Sequence, residues 1–317
     1  MKKTPLKILC GNANRDLAKK VAQHLGLELA KTEIKRFSDG EIFVRVEENV
    51  RGADVFILQS TCSPANDHLM EILLIADALR RASAARITAV IPYYGYARQD
   101  RKDVPRTLIS PRVVAHHLEA VGVNRVFSLD LHAPQIQGFF KVPVDHLFAA
   151  SVLLKTMRER VSNLEDLVLV SPDAGSVERT RAFAKRLDCS IAIVDKRRSA
   201  PGKVAEVNII GEVTGKECVM IDDLVDTAGT ICEVARVLID QKGARMVWGV
   251  ATHPVLSGPA IQRIQDSPLV RLIVTDTIPL SERAKMTNKI EVLSVADLLA
   301  DGIRRIHDED SVSELFV

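Results

Sequence analysis

The sequence predicts two α/β domains, each built as a doubly wound, mostly parallel sheet. Three observations carry that reading: a length of 317 residues, short β-branched apolar runs along the whole chain, and helix-like stretches between most of them. A chain this long exceeds the usual single domain, so a pair of domains of about 150 residues each is the natural division. The runs are apolar throughout rather than alternating, which is the pattern of parallel strands covered on both faces.

In order, the runs are "LKILC", "DVFILQS", "RITAVIPY", "RVFSLD", "LVLVS", "SIAIVD", "ECVMIDD", "RMVWGVATH" and "VRLIVTD". They fall into two batches, before and after Val142 to Ala150, where the chain offers a turn followed by a new helix. The domains on this reading are 1–146 and 147–304. Among the helices, Asn66 to Ala82 places Leu69, Ile72, Leu73, Ala76 and Leu79 at helical spacing, with Asn66 or Asp67 able to cap its start. No exact repeat or low-complexity segment is present, although "SLDLHAP" and "LVSPDAG" both end an apolar strand in an Asp-bearing loop.

With 43 basic and 41 acidic residues the net charge is +2, too balanced for nucleic acid or an anionic membrane as the main partner. Any basic site must therefore be local. Cys10, Cys62, Cys189, Cys218 and Cys232 are an odd, widely spaced set without C-x-x-C, as in a protein of the reducing cytoplasm where Cys packs as a small hydrophobe. The apolar stretch near the N-terminus is only a few residues long, too short for a signal sequence or a membrane span.

Ligands of such sheets bind just beyond the carboxyl ends of the strands, so polar residues there are the candidates. "VMIDDLVDTAGT", Val219 to Thr230, is the richest such end. Free backbone N–H groups and the helix dipole favour a phosphate at the helix that follows, with the Thr227 and Thr230 hydroxyls as extra donors and Gly229 allowing close approach. Asp222, Asp223 and Asp226 sit oddly beside an anion unless the ligand has two ends. A sugar phosphate has them: amides take the phosphate while the carboxylates accept from sugar hydroxyls or reach a Mg²⁺. A lone Asp more often caps a helix, but three acids plus T-A-G-T after an apolar strand argue for binding. "GEVTGKE" fails as a Walker A loop, with three residues between its glycines and Glu217 where Ser or Thr belongs. G-x-G-x-x-G and H-E-x-x-H do not occur.

The ordered set "RFSDGEIFVRVEENVRG", "PYYGYARQDRKD", "SLDLHAPQIQGFF", "LVSPDAGSVER", "VDKRRS", "IDDLVDTAGT" and "SGPAI" resembles the ribose-phosphate pyrophosphokinases over nearly the whole chain. The resemblance implies two domains of the type I phosphoribosyltransferase kind, with the tail 305–317 rejoining the first. The implied reaction is transfer of the β,γ-pyrophosphoryl group of MgATP to the 1-hydroxyl of ribose 5-phosphate, giving phosphoribosyl pyrophosphate and AMP. By the same resemblance Lys196 and Arg198 are the catalytic pair, and Asp222, Asp223, Asp226, Thr227, Ala228, Gly229 and Thr230 hold ribose 5-phosphate. Asp173, Ala174, Gly175 and Ser176 form the pyrophosphate loop, while Phe37, Asp39 and Glu41 of one subunit and Arg98, Gln99 and His132 of another hold ATP. His132 and Asp173 are the Mg²⁺ positions.

Dimers arranged as a hexamer, activated by phosphate and inhibited by ADP, are also implied, with Arg51, Arg86, Ser311, Ser313 and Phe316 where the regulatory site lies. The chain departs from the family pattern at Leu108 to Arg112, "LISPR", at Ser176 in place of a second loop glycine, and at Pro254 in place of glycine. Two rival readings stay open: a non-catalytic regulatory subunit of the same fold, and a type I phosphoribosyltransferase. The retained Lys196, Arg198, Asp222 and Asp223 weigh against the first, and "RFSDGE" with "YARQDRK" against the second.

Overall fold

The computed structural model describes residues 4–197 and 206–315. The chain divides into two compact units, Met1–Ala149 with Thr277–Pro279 and Ser294–Val317, and Ala150–Asp276 with Leu280–Leu293.

The first unit contains strands β1 (Leu6–Cys10), β2 (Thr32–Arg36), β3 (Ile42–Val46), β4 (Asp54–Leu58), β5 (Arg86–Ile91), β6 (Arg125–Leu129) and β7 (Val144–Leu147). Five make a parallel sheet in the order β1-β4-β5-β6-β7, while β2 and β3 form a separate antiparallel hairpin. On one face Leu9, Ile57, Ile91 and Val126 pack with α2 (Ala65–Arg81) and α3 (Ser110–Ala120). Helices α1 (Arg15–His24) and α9 (Ala296–Asp308) pack together, and α9 lies against Phe127 and Leu147. Gly302 permits that approach, since a Cβ there would fall 2.5 Å from Phe127 Cζ.

The break comes at Ala149, after β7 rather than in a simple turn, and α4 (Ala150–Arg160) opens the second unit. More of the C-terminus belongs to the first unit than 305–317. From Ser294 onward the chain folds there, because α9 buries Leu298, Leu299, Ile303 and Ile306. The start of α2 also differs from expectation: Pro64 occupies the cap position without a side-chain bond, and Asn66 and Asp67 lie inside the first turn. Asp67 instead accepts from Arg36 Nη2 at 2.7 Å.

The second unit holds β8 (Leu167–Ser171), β9 (Ser190–Arg197), β10 (Glu206–Ile210), β11 (Glu217–Val225), β12 (Met246–Pro254), β13 (Leu272–Thr275) and β14 (Ile290–Leu293). Its helices are α4, α5 (Val177–Leu187), α6 (Gly229–Arg236), α7 (Ala260–Gln265) and α8 (Glu282–Lys285). The sheet order is β10-β9-β8-β11-β12-β13-β14, parallel except between β9 and β10. From β8 the chain walks outward to β10, returns to the other side of β8 as β11, and walks outward again to β14. That reversal opens a crevice between the loops that follow β8 and β11. At the opposite end of the strands buried Glu217 accepts from Trp248 Nε1 at 2.8 Å and Ser162 N at 3.2 Å, so both its oxygens have a donor. No described helix is long and apolar enough to cross a membrane.

Candidate active site

The two loops at the switch point of the second unit carry most of the predicted acceptor residues. β11 pairs with β8 only as far as Met220 opposite Val170, but runs on beside β12 to Val225 opposite Pro254. Its last third therefore projects past β8, and Asp222 comes alongside the loop 172–176. Ser176 Oγ donates to Asp222 Oδ1 at 3.0 Å, and Asp223 N donates to the same oxygen at 2.9 Å. Asp173 Oδ1 accepts from Ser176 N at 3.0 Å, while its carbonyl accepts from Ser171 Oγ at 2.7 Å. Ala174 and Gly175 are exposed between them. An open pocket of about 170 Å³ is lined by Asp173, Asp222, Asp226, Thr227, Gly229 and Thr230, among others.

Where β11 gives way to α6, Ala228 takes the left-handed conformation at φ 56° and stands at the cap position without a side-chain bond. The turn brings the first residues of α6 to the pocket, with their N–H groups at the positive end of the helix. Thr227 and Thr230 are exposed. Arg263 Nη1 donates to the Thr227 carbonyl at 3.0 Å, and Ser257 N to the Asp226 carbonyl at 3.0 Å. Ser257 Oγ also donates to Asp226 Oδ1, so Asp226 is anchored to the loop after β12.

The electrostatics of the pocket are lopsided. Burial, followed by the neighbouring charges of Asp223 and Asp173, pushes the Asp222 carboxyl up to about 8, with the Ser176 hydroxyl acting in the other direction. Among the described residues no three acid, His or Cys side chains form a ready-made metal cage. Converging carboxylates nonetheless suit Mg²⁺, which binds through one or two carboxylates and completes its shell with water and phosphate oxygens.

In the first unit, Phe37, Asp39 and Glu41 cluster on the turn joining β2 and β3. Phe37 is 51% exposed with its ring edge-on to Phe43 at 5.8 Å. Phe37 N donates to the Glu41 carbonyl at 2.9 Å and Glu41 N to Asp39 Oδ1 at 3.1 Å, bonds that close a tight turn around Gly40 at φ 95°. Arg98, Gln99 and His132 are exposed on loops after β5 and β6. Asp100 Oδ2 accepts from Gln135 Nε2 at 2.5 Å, which ties those two loops together. His146 Nε2 accepts from Leu131 N at 2.9 Å and Asp130 Oδ2 from Ala149 N at 2.9 Å, fixing the backbone on either side of the strand end that bears His132.

Residues 6–122 match the family model of the N-terminal domain of ribose phosphate pyrophosphokinase, and residues 198–317 match the phosphoribosyl synthetase-associated domain. A ribose-phosphate pyrophosphokinase of Burkholderia pseudomallei is 55% identical over 312 residues, covering 98% of this chain and 97% of that one. The chain belongs to the ribose-phosphate pyrophosphokinase family. Another member, from Caldanaerobacter subterraneus subsp. tengcongensis, is 53% identical over 311 residues, 98% of each chain. The crystal structure of phosphoribosylpyrophosphate synthetase from Mycobacterium smegmatis superposes with a TM-score of 0.91 at 42% identity, covering 96% of this chain and 100% of that one. The two parallel-sheet domains expected from the sequence are thus those of ribose-phosphate pyrophosphokinases.

Of the other residues that the family resemblance singles out, Lys196 lies on β9 with its backbone opposite Val207. Arg198 and Phe316 lie outside the described residues. The Arg86 guanidinium donates to both oxygens of buried Asp54, at 2.8 and 2.5 Å, and to the Ile306 carbonyl at 2.9 Å. The Asp54 carboxylate and the α9 carbonyl orient it inward, as a clamp on the C-terminal helix. Arg51 is exposed, Ser311 accepts from Arg305 Nη1 through its carbonyl at 2.7 Å, and Ser313 N donates to Ser311 Oγ at 3.2 Å.

The departures have local explanations: Pro111 sits in the first turn of α3 and accepts from Tyr94 Oη at 3.0 Å, and Pro254 ends β12. Leu108 is exposed, and nothing in the structure explains its choice. Sequence reasoning missed Ser257, Arg263, His146 and Gln135, each of which acts through a partner distant in the chain.

Proposed function

We infer that the protein transfers the β,γ-pyrophosphoryl group of ATP to the 1-hydroxyl of ribose 5-phosphate, forming phosphoribosyl pyrophosphate and AMP. The observation that carries this is the pairing, within one crevice, of an amide-rich helix start with a cluster of carboxylates. One end suits a phosphate and the other a polyhydroxylated sugar, and membership of the family supports the same reading. The N–H groups of 228–230 and the Thr227 and Thr230 hydroxyls bind the 5-phosphate. Asp222 and Asp223 accept from the ribose hydroxyls and turn the 1-hydroxyl toward the donor. The oxygen of that hydroxyl forms a bond to the β-phosphorus as the bond from that phosphorus to the α,β-bridging oxygen breaks; AMP leaves with the bridging oxygen, and the hydroxyl proton passes to solvent.

Positioning and electrostatics carry most of such a transfer. Lys196 and Arg198 supply fixed positive charge to the transferring group, and Asp173 to Ser176 form the loop beside the pyrophosphate. Phe37 stacks on adenine, Asp39 and Glu41 take its polar edge, and Arg98 and Gln99 hold the nucleotide. By the family resemblance His132 and Asp173 are Mg²⁺ positions, and the ion would supply charge neutralisation there when bound. The working state is a homo-oligomer of dimers arranged as a hexamer in the cytoplasm, responsive to phosphate and ADP.

Phosphorus NMR of the purified protein with ATP, ribose 5-phosphate, Mg²⁺ and inorganic phosphate tests the reaction. AMP together with a diphosphate on the first carbon of the sugar is the expected outcome. A folded sample that forms no AMP at any phosphate concentration refutes it.

A further inference from the structure

Ser176 stands at the N-cap of α5, where a serine ordinarily turns its oxygen back to accept from the first turn of its own helix. It makes no such bond. Its hydroxyl donates across the crevice to Asp222 Oδ1 at 3.0 Å. Its N–H donates to Asp173 Oδ1 at 3.0 Å, and its carbonyl accepts from Thr180 N at 2.9 Å and Thr180 Oγ1 at 2.8 Å. All of its polar groups are thus engaged, and only 7% of the residue is exposed. The Cα is pinned on both sides, so the hydroxyl has little freedom to turn elsewhere.

Two donors therefore meet on one oxygen of Asp222. Asp223 N is local, and any residue but proline at that position would supply it. The Ser176 hydroxyl comes from 46 positions away, on the loop after the neighbouring strand. A contact from each loop fixes the plane of the carboxylate, and a hydroxyl donor also favours its charged, hydrogen-bond-accepting form beside two other acids. Glycine, the residue that the family pattern places here, has no atom that could make this link.

We propose that Ser176 is a positioning residue for sugar recognition: through its hydroxyl it couples the pyrophosphate-side loop to Asp222 and orients that carboxylate toward ribose 5-phosphate. The inference rests on the assignment of the crevice as the ribose 5-phosphate site. It concerns binding of the sugar.

The test uses the full-length enzyme with Ser176→Ala and Ser176→Gly, neither of which adds bulk. Removal of one hydrogen bond to a carboxylate is expected to raise KM for ribose 5-phosphate about tenfold. Calorimetric Kd for ribose 5-phosphate alone should weaken by the same factor, while the thermal midpoint stays near wild type. Ala and Gly should behave alike, because both lack the hydroxyl. Wild-type affinity in Ser176→Ala overturns the proposal, as does a change seen with Gly and not with Ala, which would trace the effect to the backbone. Equal shifts for both substrates with a lowered midpoint would make Ser176 merely structural. If the wild-type protein neither binds ribose 5-phosphate nor forms AMP, the assignment of the crevice itself falls and the proposal with it.

Discussion

Replacing Asp222 by Asn should stabilise the ligand-free protein and disable it, and the stabilisation should depend on pH in a set direction. The Asp222 carboxyl is raised from 3.8 to about 8, first by burial and then by the charges of Asp223 and Asp173. The folded state therefore binds this proton more tightly than the unfolded state does. Its contribution is fully present below about pH 4, and it is lost as pH rises toward 8, at about 1.4 kcal/mol per pH unit. Asn mimics the protonated acid in shape and charge at every pH, so Asp222→Asn escapes that loss. Between pH 5.5 and 7.5 its advantage over wild type should grow by about 2 to 3 kcal/mol, or roughly 5 to 10 °C in thermal midpoint.

Scanning calorimetry in buffer without divalent cations or substrates reads this directly. Addition of Mg²⁺ with ribose 5-phosphate should restore the wild type selectively, because ligands that bind the charged acid stabilise only the chain that carries it. An advantage of Asp222→Asn that is the same at pH 5.5 and 7.5, or no advantage at either, would refute the argument that three crowded carboxylates trade fold stability for ligand binding.

Gly302→Ala would drive a Cβ to 2.5 Å from Phe127 Cζ; urea denaturation should show a net loss of about 1 to 2 kcal/mol even after the gain in helix propensity. Asp54→Ala leaves the Arg86 guanidinium and His307 without their shared acceptor and should cost about 3 kcal/mol, with hydrogen exchange quickening first in α9. Phe37→Ala, at a half-exposed turn position, should leave stability within about 0.5 kcal/mol of wild type. Loss of base stacking should raise KM for ATP about tenfold in steady-state assays. Lys196→Ala should lower turnover by about a hundredfold or more with an unchanged circular dichroism spectrum, and near-normal turnover would remove Lys196 from the mechanism.

Much of the scaffold was legible because parallel strands buried on both faces write continuous apolar runs, and every run quoted from the sequence contains a strand. The strands that escaped fall into two groups. β2 and β3 are half-exposed and interrupted by charge, as in "TEIKR", while β7, β10 and β14 lie at sheet edges with only one paired neighbour. The cap of α2 was misassigned because Asn66 and Asp67 are good capping residues whose side chains had better partners: Arg36 takes Asp67, and Tyr96 donates to Asn66. Arg86 reads as a surface arginine until the buried Asp54 beside it is known.

What the sequence determined alone is whatever a short window encodes. The strand ends, the T-A-G-T turn with its glycine, and the acids that follow an apolar run depend on local backbone preference and residue chemistry, so the candidate ligand groups could be named one by one. The tertiary structure decided which of them meet. The reversal in strand order after β10 brings the loops of β8 and β11 to one crevice, and the apolar stripe of α9 packs on the first unit, where Gly302 meets Phe127. The bond between Ser176 and Asp222 belongs to the same class. Such juxtapositions are selected by the packing of the whole core, a free energy shared among residues far apart in the chain, and no local periodicity records them.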